Sequence, residues 1–290
     1  MSDHLIRVLT LDGAIRVSVA ETTALVEEVR KRQQTDPTAT VAVGRLATAA
    51  ALMGSLLKGR QRIGLTIEGN GPLKRLQAEA DAFGRVRATL KVPLAGLPPR
   101  DGRFDVAGAV GRAGFLHVVK DLGMKDPYRG LVQLVSSEIA EDLAYYFTTS
   151  EQTPSSVALG VELGQQTEVA AAGGFLVQLM PGADASLANR LAERLAALPP
   201  TTTMLRQGLP PAAIAARLLE GFPYRELGAT PLAFTCTCSY QQALKLLRAL
   251  GAEELDRMIE DPGEARVTCE YCKETYLVDL ATLREIRTSL

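Results

Sequence analysis

Short bursts of alternating apolar and polar positions open the chain. Ile15, Val17 and Val19 alternate with polar partners after Asp12-Gly13, a turn signal, and predict a hairpin strand. Ile63, Leu65 and Ile67 repeat the pattern and stop at Gly69-Asn70-Gly71-Pro72. A strand over Leu73–Ala80 follows, giving a second hairpin. Further short strands are predicted over 86–90, 115–119, 130–135, 157–162 and 175–179. Helical spacing is found over 22–34, with Leu25, Val26 and Val29 on one face. A second helix is predicted over 41–58, rich in Ala and Leu, closed by Gly59 and expected to be buried. A third spans 138–147 with Ser137 as its cap; Glu138, Glu141 and Asp142 read as its solvated face. Strands and helices come in uneven runs, not in strict alternation, so the fold class is α+β.

The pattern changes at Pro181-Gly182. Leu187, Leu191, Leu195 and Leu198 form a narrow apolar stripe on a helix over 186–198, ended by Pro199-Pro200. Pro210-Pro211 opens another helix through Leu219, with Ile214 and Leu218 on one side. Pro223 and Pro231 follow. Helices this short do not stand alone in water and must dock on something. From Phe234 a small module is predicted: a helix over 239–250, a short helix over 253–259 ended by Asp261-Pro262-Gly263, a hairpin of strands 264–268 and 275–278, and a last helix carrying Leu280, Leu283 and Ile286. The chain thus divides into an N-terminal mixed sheet-and-helix core domain (1–182), a helical linker (183–233) and a small C-terminal module (234–290).

Apolar residues make up 47% and charged residues 22%, a globular composition. A formal net charge of −1 gives no reason to expect nucleic acid or an anionic membrane as partner. The N-terminus has no apolar signal core. No apolar run reaches the about 18 residues of a membrane span. A soluble, cytoplasmic protein is expected, in a compartment that keeps cysteines reduced.

The chain has four cysteines, all in its last fifth: Cys236-Thr-Cys238 and Cys269-Glu-Tyr-Cys272. Two close pairs on one short segment can supply four thiolates to a tetrahedral metal. All-sulfur ligation favours zinc over calcium or magnesium, with iron the weaker alternative. Zinc would clamp the segment before the first module helix to the hairpin turn and supply much of the module's folding free energy. The spacing equally lets each pair close on itself as a disulfide. A disulfide across Cys236-Thr-Cys238 closes a small, strained and therefore labile ring.

Other chemistry is sparse. Gly69-x-Gly71 has Lys74 where a dinucleotide fingerprint needs its third glycine, and reads as a turn. Only two histidines exist, His4 and His117, and no Ser/His/Asp set suggests catalysis. The sequence is read as that of a non-enzyme.

The cysteine pattern and the proline-broken linker identify the chain as resembling the heat shock protein 33 family of redox-regulated holdases. The resemblance covers essentially the whole chain. Its specific part is C-x-C followed by C-x-x-C, with supporting segments Gly69-Asn-Gly-Pro-Leu73, Ser150-Glu-Gln-Thr-Pro154 and Ala172-Gly-Gly-Phe175. The resemblance implies an ATP-independent chaperone that is inactive while reduced and zinc-bound, with Cys236, Cys238, Cys269 and Cys272 as ligands of one zinc per chain. It implies Cys236–Cys238 and Cys269–Cys272 disulfides on oxidation, zinc release, unfolding of the linker, a homodimeric active form, and unfolding, aggregation-prone proteins as clients. Leu187, Leu191, Leu195, Leu198, Ile214 and Leu218 would then be freed to bind clients.

Two other functions fit the sequence less well. Residues 234–290 hold seven Lys/Arg against ten Asp/Glu, a poor balance for a nucleic-acid-binding zinc ribbon. A thiol–disulfide oxidoreductase sets its first cysteine at a helix N-terminus, whereas Cys269 is expected in a hairpin turn.

Overall fold

The computed structural model describes residues 2–100, 102–260 and 265–290, with the backbone alone at 185 and 186. The expected turn at Asp261-Pro262-Gly263, and Glu264 at the start of the predicted strand, lie outside the described residues. The chain forms two compact units, Met1–Thr235 and Cys236–Leu290.

The first unit begins with strands β1 (His4–Thr10) and β2 (Ile15–Glu21), then helices α1 (Thr23–Gln33) and α2 (Pro37–Gly54). Strands β3 (Arg62–Gly69), β4 (Arg75–Asp81) and β5 (Arg85–Leu90) follow, then helix α3 (Val106–Val110), strands β6 (Gly114–Asp121) and β7 (Tyr128–Gln133), helix α4 (Ala140–Thr149), and strands β8 (Ser155–Leu163) and β9 (Val169–Leu179). Helices α5 (Ala185–Ala197), α6 (Thr201–Arg206) and α7 (Pro211–Leu218) lead to strands β10 (Tyr224–Pro231) and β11 (Ala233–Phe234). Two sheets result, one ordered β10-β1-β2-β9-β8 and the other β11-β5-β4-β3-β6-β7. The α+β class is as the uneven runs required.

Helix α2 lies between the sheets and packs on strands of both. All of it is buried except Pro37 and Arg45, which is why it carries no polar face. It starts earlier than its apolar run because Asp36 caps it, accepting a hydrogen bond from the Ala39 amide, with Pro37 at the first helical position. It ends at Gly54, not at Lys58, because the Ser55 hydroxyl turns back to the Leu52 carbonyl. Gly59 falls in the turn beyond. The Gly69–Gly71 segment is the expected turn: a Cβ on Gly69 would sit 2.0 Å from the Val110 carbonyl oxygen of α3, a helix the sequence pattern did not suggest.

Around α4 the structure departs from the sequence pattern. The helix begins at Ala140, and Ser137 is not its cap; the Ser137 hydroxyl donates to the Gly111 carbonyl. Asp142 is fully buried, not solvated. Its carboxylate accepts hydrogen bonds from the amides of Val135, Ser136, Ser137 and Ile139, closing a loop whose Ser137 and Ile139 have φ of 64° and 73°. Glu138 pairs with Arg45 of α2 at 2.5 Å.

The proline-punctuated stretch docks on the five-stranded sheet. Leu191, Met204, Leu205, Ile214, Ala215, Leu218 and Leu219 bury against Ile6, Val8, Ile15, Val17, Val19, Phe175 and Val177. Helix α6, missing from the sequence reading, carries two of these residues. Residues 224–231 are a strand and not part of a helical linker: the ladder to β1 forms it, and their own side chains show no apolar periodicity.

The second unit contains α8 (Tyr240–Ala249), α9 (Ala252–Glu260), β12 (Ala265–Thr268), β13 (Thr275–Val278) and α10 (Leu280–Thr288). Its core is small: Leu247, Leu255, Ala265, Val278, Leu283 and Ile286. Ser239 caps α8 and Asp279 caps α10. No helix among the described residues is long and apolar enough to cross a membrane.

Candidate metal centre

Cys236 and Cys238 lie in the extended segment that Ser239 turns into α8. Cys269 and Cys272 lie in the turn joining β12 to β13. The Cys269 amide donates to the Glu274 carbonyl and the Lys273 amide to the Cys269 carbonyl, both at 2.9 Å, with Lys273 in the left-handed region at φ 61°. These bonds lock the turn so that both thiols point to one side, where the extended segment brings the other pair.

The four Sγ atoms lie within 4.8 Å of one another. Cys236 and Cys269 are 3.7 Å apart, and Cys238 and Cys272 are 3.2 Å apart. Cys272 is buried and the other three are half-buried. Among the described residues this is the one group of His, Cys, Asp or Glu side chains so arranged, and it could hold a metal ion. A zinc–sulfur bond of about 2.3 Å sets tetrahedral sulfurs about 3.8 Å apart. The observed spacing fits.

Burial pushes the Cys272 thiol up to about 12, against a backbone hydrogen bond from Glu274 that pulls it down. Burial also raises Cys238, opposed by the Tyr276 hydroxyl, which donates to Cys238 Sγ at 3.2 Å. Four clustered, partly desolvated sulfurs resist negative charge on their own; a divalent cation among them reverses that balance. Tyr276 was invisible in the sequence as a site residue. Its position beside Cys238 depends on the β12–β13 register, which pairs Val267 with Tyr276.

The Cys269/Cys272 pair sits in the hairpin turn between β12 and β13 and not at a helix N-terminus, where a disulfide oxidoreductase sets its first cysteine. His4 and His117 lie on β1 and β6. Of the six candidate client-binding residues, Leu191, Ile214 and Leu218 are buried and Leu187, Leu195 and Leu198 partly buried, all against the five-stranded sheet.

Fold and centre together define a two-unit α+β protein whose smaller unit carries a four-thiol, potential metal-binding cluster. The model of the Hsp33 protein family matches residues 3–279. The chain is 57% identical over 276 residues to a 33 kDa chaperonin of Syntrophotalea carbinolica, covering 95% of this chain and 96% of the relative. It is 49% identical over 290 residues to a 33 kDa chaperonin of Geobacter sulfurreducens, covering 100% and 96%. The crystal structure of the 33 kDa chaperonin (heat shock protein 33 homolog) of Thermotoga maritima superposes with a TM-score of 0.91 at 33% identity, covering 100% of this chain and 99% of that one. The chain belongs to the Hsp33 family.

Proposed function

We propose that this chain is a redox-regulated, ATP-independent holdase chaperone of the cytoplasm. The carrying observation is the convergence of four thiols, from two separate segments of a unit with a thin core, to within 4.8 Å. Cys236, Cys238, Cys269 and Cys272 hold one zinc per chain in the reduced, inactive state. When bound, zinc keeps the four sulfurs as thiolates and ties the segment before α8 to the hairpin turn. Oxidation forms the Cys236–Cys238 and Cys269–Cys272 disulfides. Forming each disulfide takes two electrons from a pair of thiolates and passes them to an oxidant such as peroxide, whose O–O bond breaks and which leaves, with two protons taken up, as two waters. The ligands are then gone, and six buried apolar residues do not hold the smaller unit together.

Residues 183–233 unfold with it, the chain forms a homodimer, and unfolding proteins bind. Leu187, Leu191, Leu195, Leu198, Ile214 and Leu218 become part of the client surface, together with the sheet they cover. No nucleotide is needed, because the oxidant drives the change. Neither nucleic acid nor membrane is a partner in this reading.

Zinc content and free thiols, counted before and after peroxide with mild heating, test the reading beside an aggregation assay. One zinc per chain before, its release after, and holding only after are expected. Fully reduced protein that is metal-free yet equally compact over 236–290 would overturn it.

A further inference from the structure

Strand β10 is the most exposed strand of its sheet, with six of its eight residues exposed. It pairs with β1 from His4↔Pro231 to Thr10↔Tyr224, yet none of its side chains is buried. Backbone hydrogen bonds hold it there. The ladder is imperfect: Arg7 pairs with Gly228 and Val8 with Glu226, so Leu227 is skipped and stands 42% exposed. Its two ends are anchored differently. On the α7 side, Phe222 packs with the docked helices. On the other side, Leu232 is buried in the main core, its amide bonded to the Asp3 carbonyl, and Arg32 lies 4.9 Å over the Phe234 ring.

Strand β1 is the opposite case. Leu5 faces the main core, while Ile6 and Val8 face the sheet surface that α5–α7 cover. Directly opposed residues of an antiparallel pair share a face. Opposite Ile6 and Val8 stand Ala229 and Glu226. Strand β10 therefore fills the hydrogen-bonding edge without extending the apolar face.

We infer that β10 is an internal stand-in for a client: once α5–α7 leave the sheet, edge strand β1 accepts an extended segment of an unfolding polypeptide, with apolar side chains at alternate positions, in place of β10. This rests on the reading that oxidation unfolds the helical part of residues 183–233, α5–α7. While both its ends are anchored, β10 competes as a tethered ligand at high effective concentration. With the Phe222 end free, only its bulged ladder and the Leu232 end hold it. An incoming strand pairs in regular register and places apolar residues beside Ile6 and Val8, joining main-chain hydrogen bonds to side-chain burial. Many sequences satisfy that demand, as a chaperone requires.

Oxidised full-length protein is mixed with reduced, carboxymethylated lactalbumin, a permanently unfolded probe. A synthetic peptide of residues 222–232, and its scrambled form, are added as competitors, and hydrogen exchange is followed across β1. The expected result is several-fold weaker probe binding with the 222–232 peptide only, and β1 amides that exchange freely after oxidation and become protected with the probe. Glu226→Val with Ala229→Val, which lets β10 extend the apolar face, should weaken probe binding several-fold while leaving zinc release unchanged. Probe binding that ignores the peptide, with β1 exchange unaltered, overturns the strand-addition proposal and leaves the holdase reading intact. Protection of β1 on oxidation alone, rising with protein concentration, assigns the edge to a second copy and also overturns it. Absence of any probe binding after oxidation overturns both.

Discussion

The hydroxyl of Tyr276 donates to Cys238 Sγ at 3.2 Å, so a β13 side chain supports a sulfur of the distant Cys236/Cys238 pair. Such a bond stabilises the sulfur most when it is a thiolate under a metal. Tyr276→Phe keeps the ring, which stands 6.5 Å from that of Tyr240, and removes only the donor. Zinc affinity, read by competition with a chromophoric chelator, should fall about ten-fold. In the cobalt-substituted protein the sulfur-to-metal charge-transfer band should shift, whereas Tyr240→Phe should leave it in place.

Metal uptake must expel protons. Burial holds the Cys272 thiol near 12 and also raises Cys238, so both are protonated at neutral pH until a cation replaces the proton. Acidification should therefore weaken the metal's hold. At least two protons should appear per metal bound, counted with an indicator dye on adding zinc to reduced, stripped protein. Release of fewer than two would show that these thiols are not the ligands.

Leu218 is fully buried in the cluster joining α5–α7 to the five-stranded sheet. Leu218→Ala should cost about 2–5 kcal/mol there. The reduced, metal-loaded variant should already suppress aggregation of a heat-unfolded protein, by light scattering, with faster hydrogen exchange confined to α5–α7. If the variant stays silent until oxidised although its helices exchange faster, uncovering the sheet is not what activates the chain.

Asp142→Ala leaves four backbone amides without their acceptor, those of Ser137 and Ile139 buried. A loss of about 3 kcal/mol or more is expected, read as a lower denaturation midpoint of the first unit. Zinc content should not change.

The Glu27 carboxyl is held down at about 2 by its hydrogen bonds from Arg30, and it also accepts the Val169 amide at 3.0 Å. Its ordinary value is 4.5, so the folded state favours the charged form. The stability it confers is complete above pH 4.5 and drains away as pH falls through about 2. Glu27→Gln should be less stable than the parent at neutral pH, and equilibrium unfolding curves should converge towards pH 2.

What was legible in the sequence follows physical range. The four cysteines announced themselves because their chemistry lies in residue type and close spacing. Strands such as β3 and β4 were readable because one face is buried, and burial writes a period of two. Strand β10 was not, since most of its side chains are exposed and it is held by its backbone ladder to β1. Asp142 read as solvated because charge normally marks a surface; the loop amides that hold it come from residues whose conformation only the fold imposes. Tyr276 needed the hairpin register, a pairing no local pattern encodes.

All sulfhydryl groups of this molecule belong to its last 55 residues, and the 235 before them have none. An oxidant strong enough to cross-link the tail finds no thiol in the scaffold to misjoin. Any disulfide the chain forms within itself must therefore lie in that tail, and a reductant has no other bridge to open.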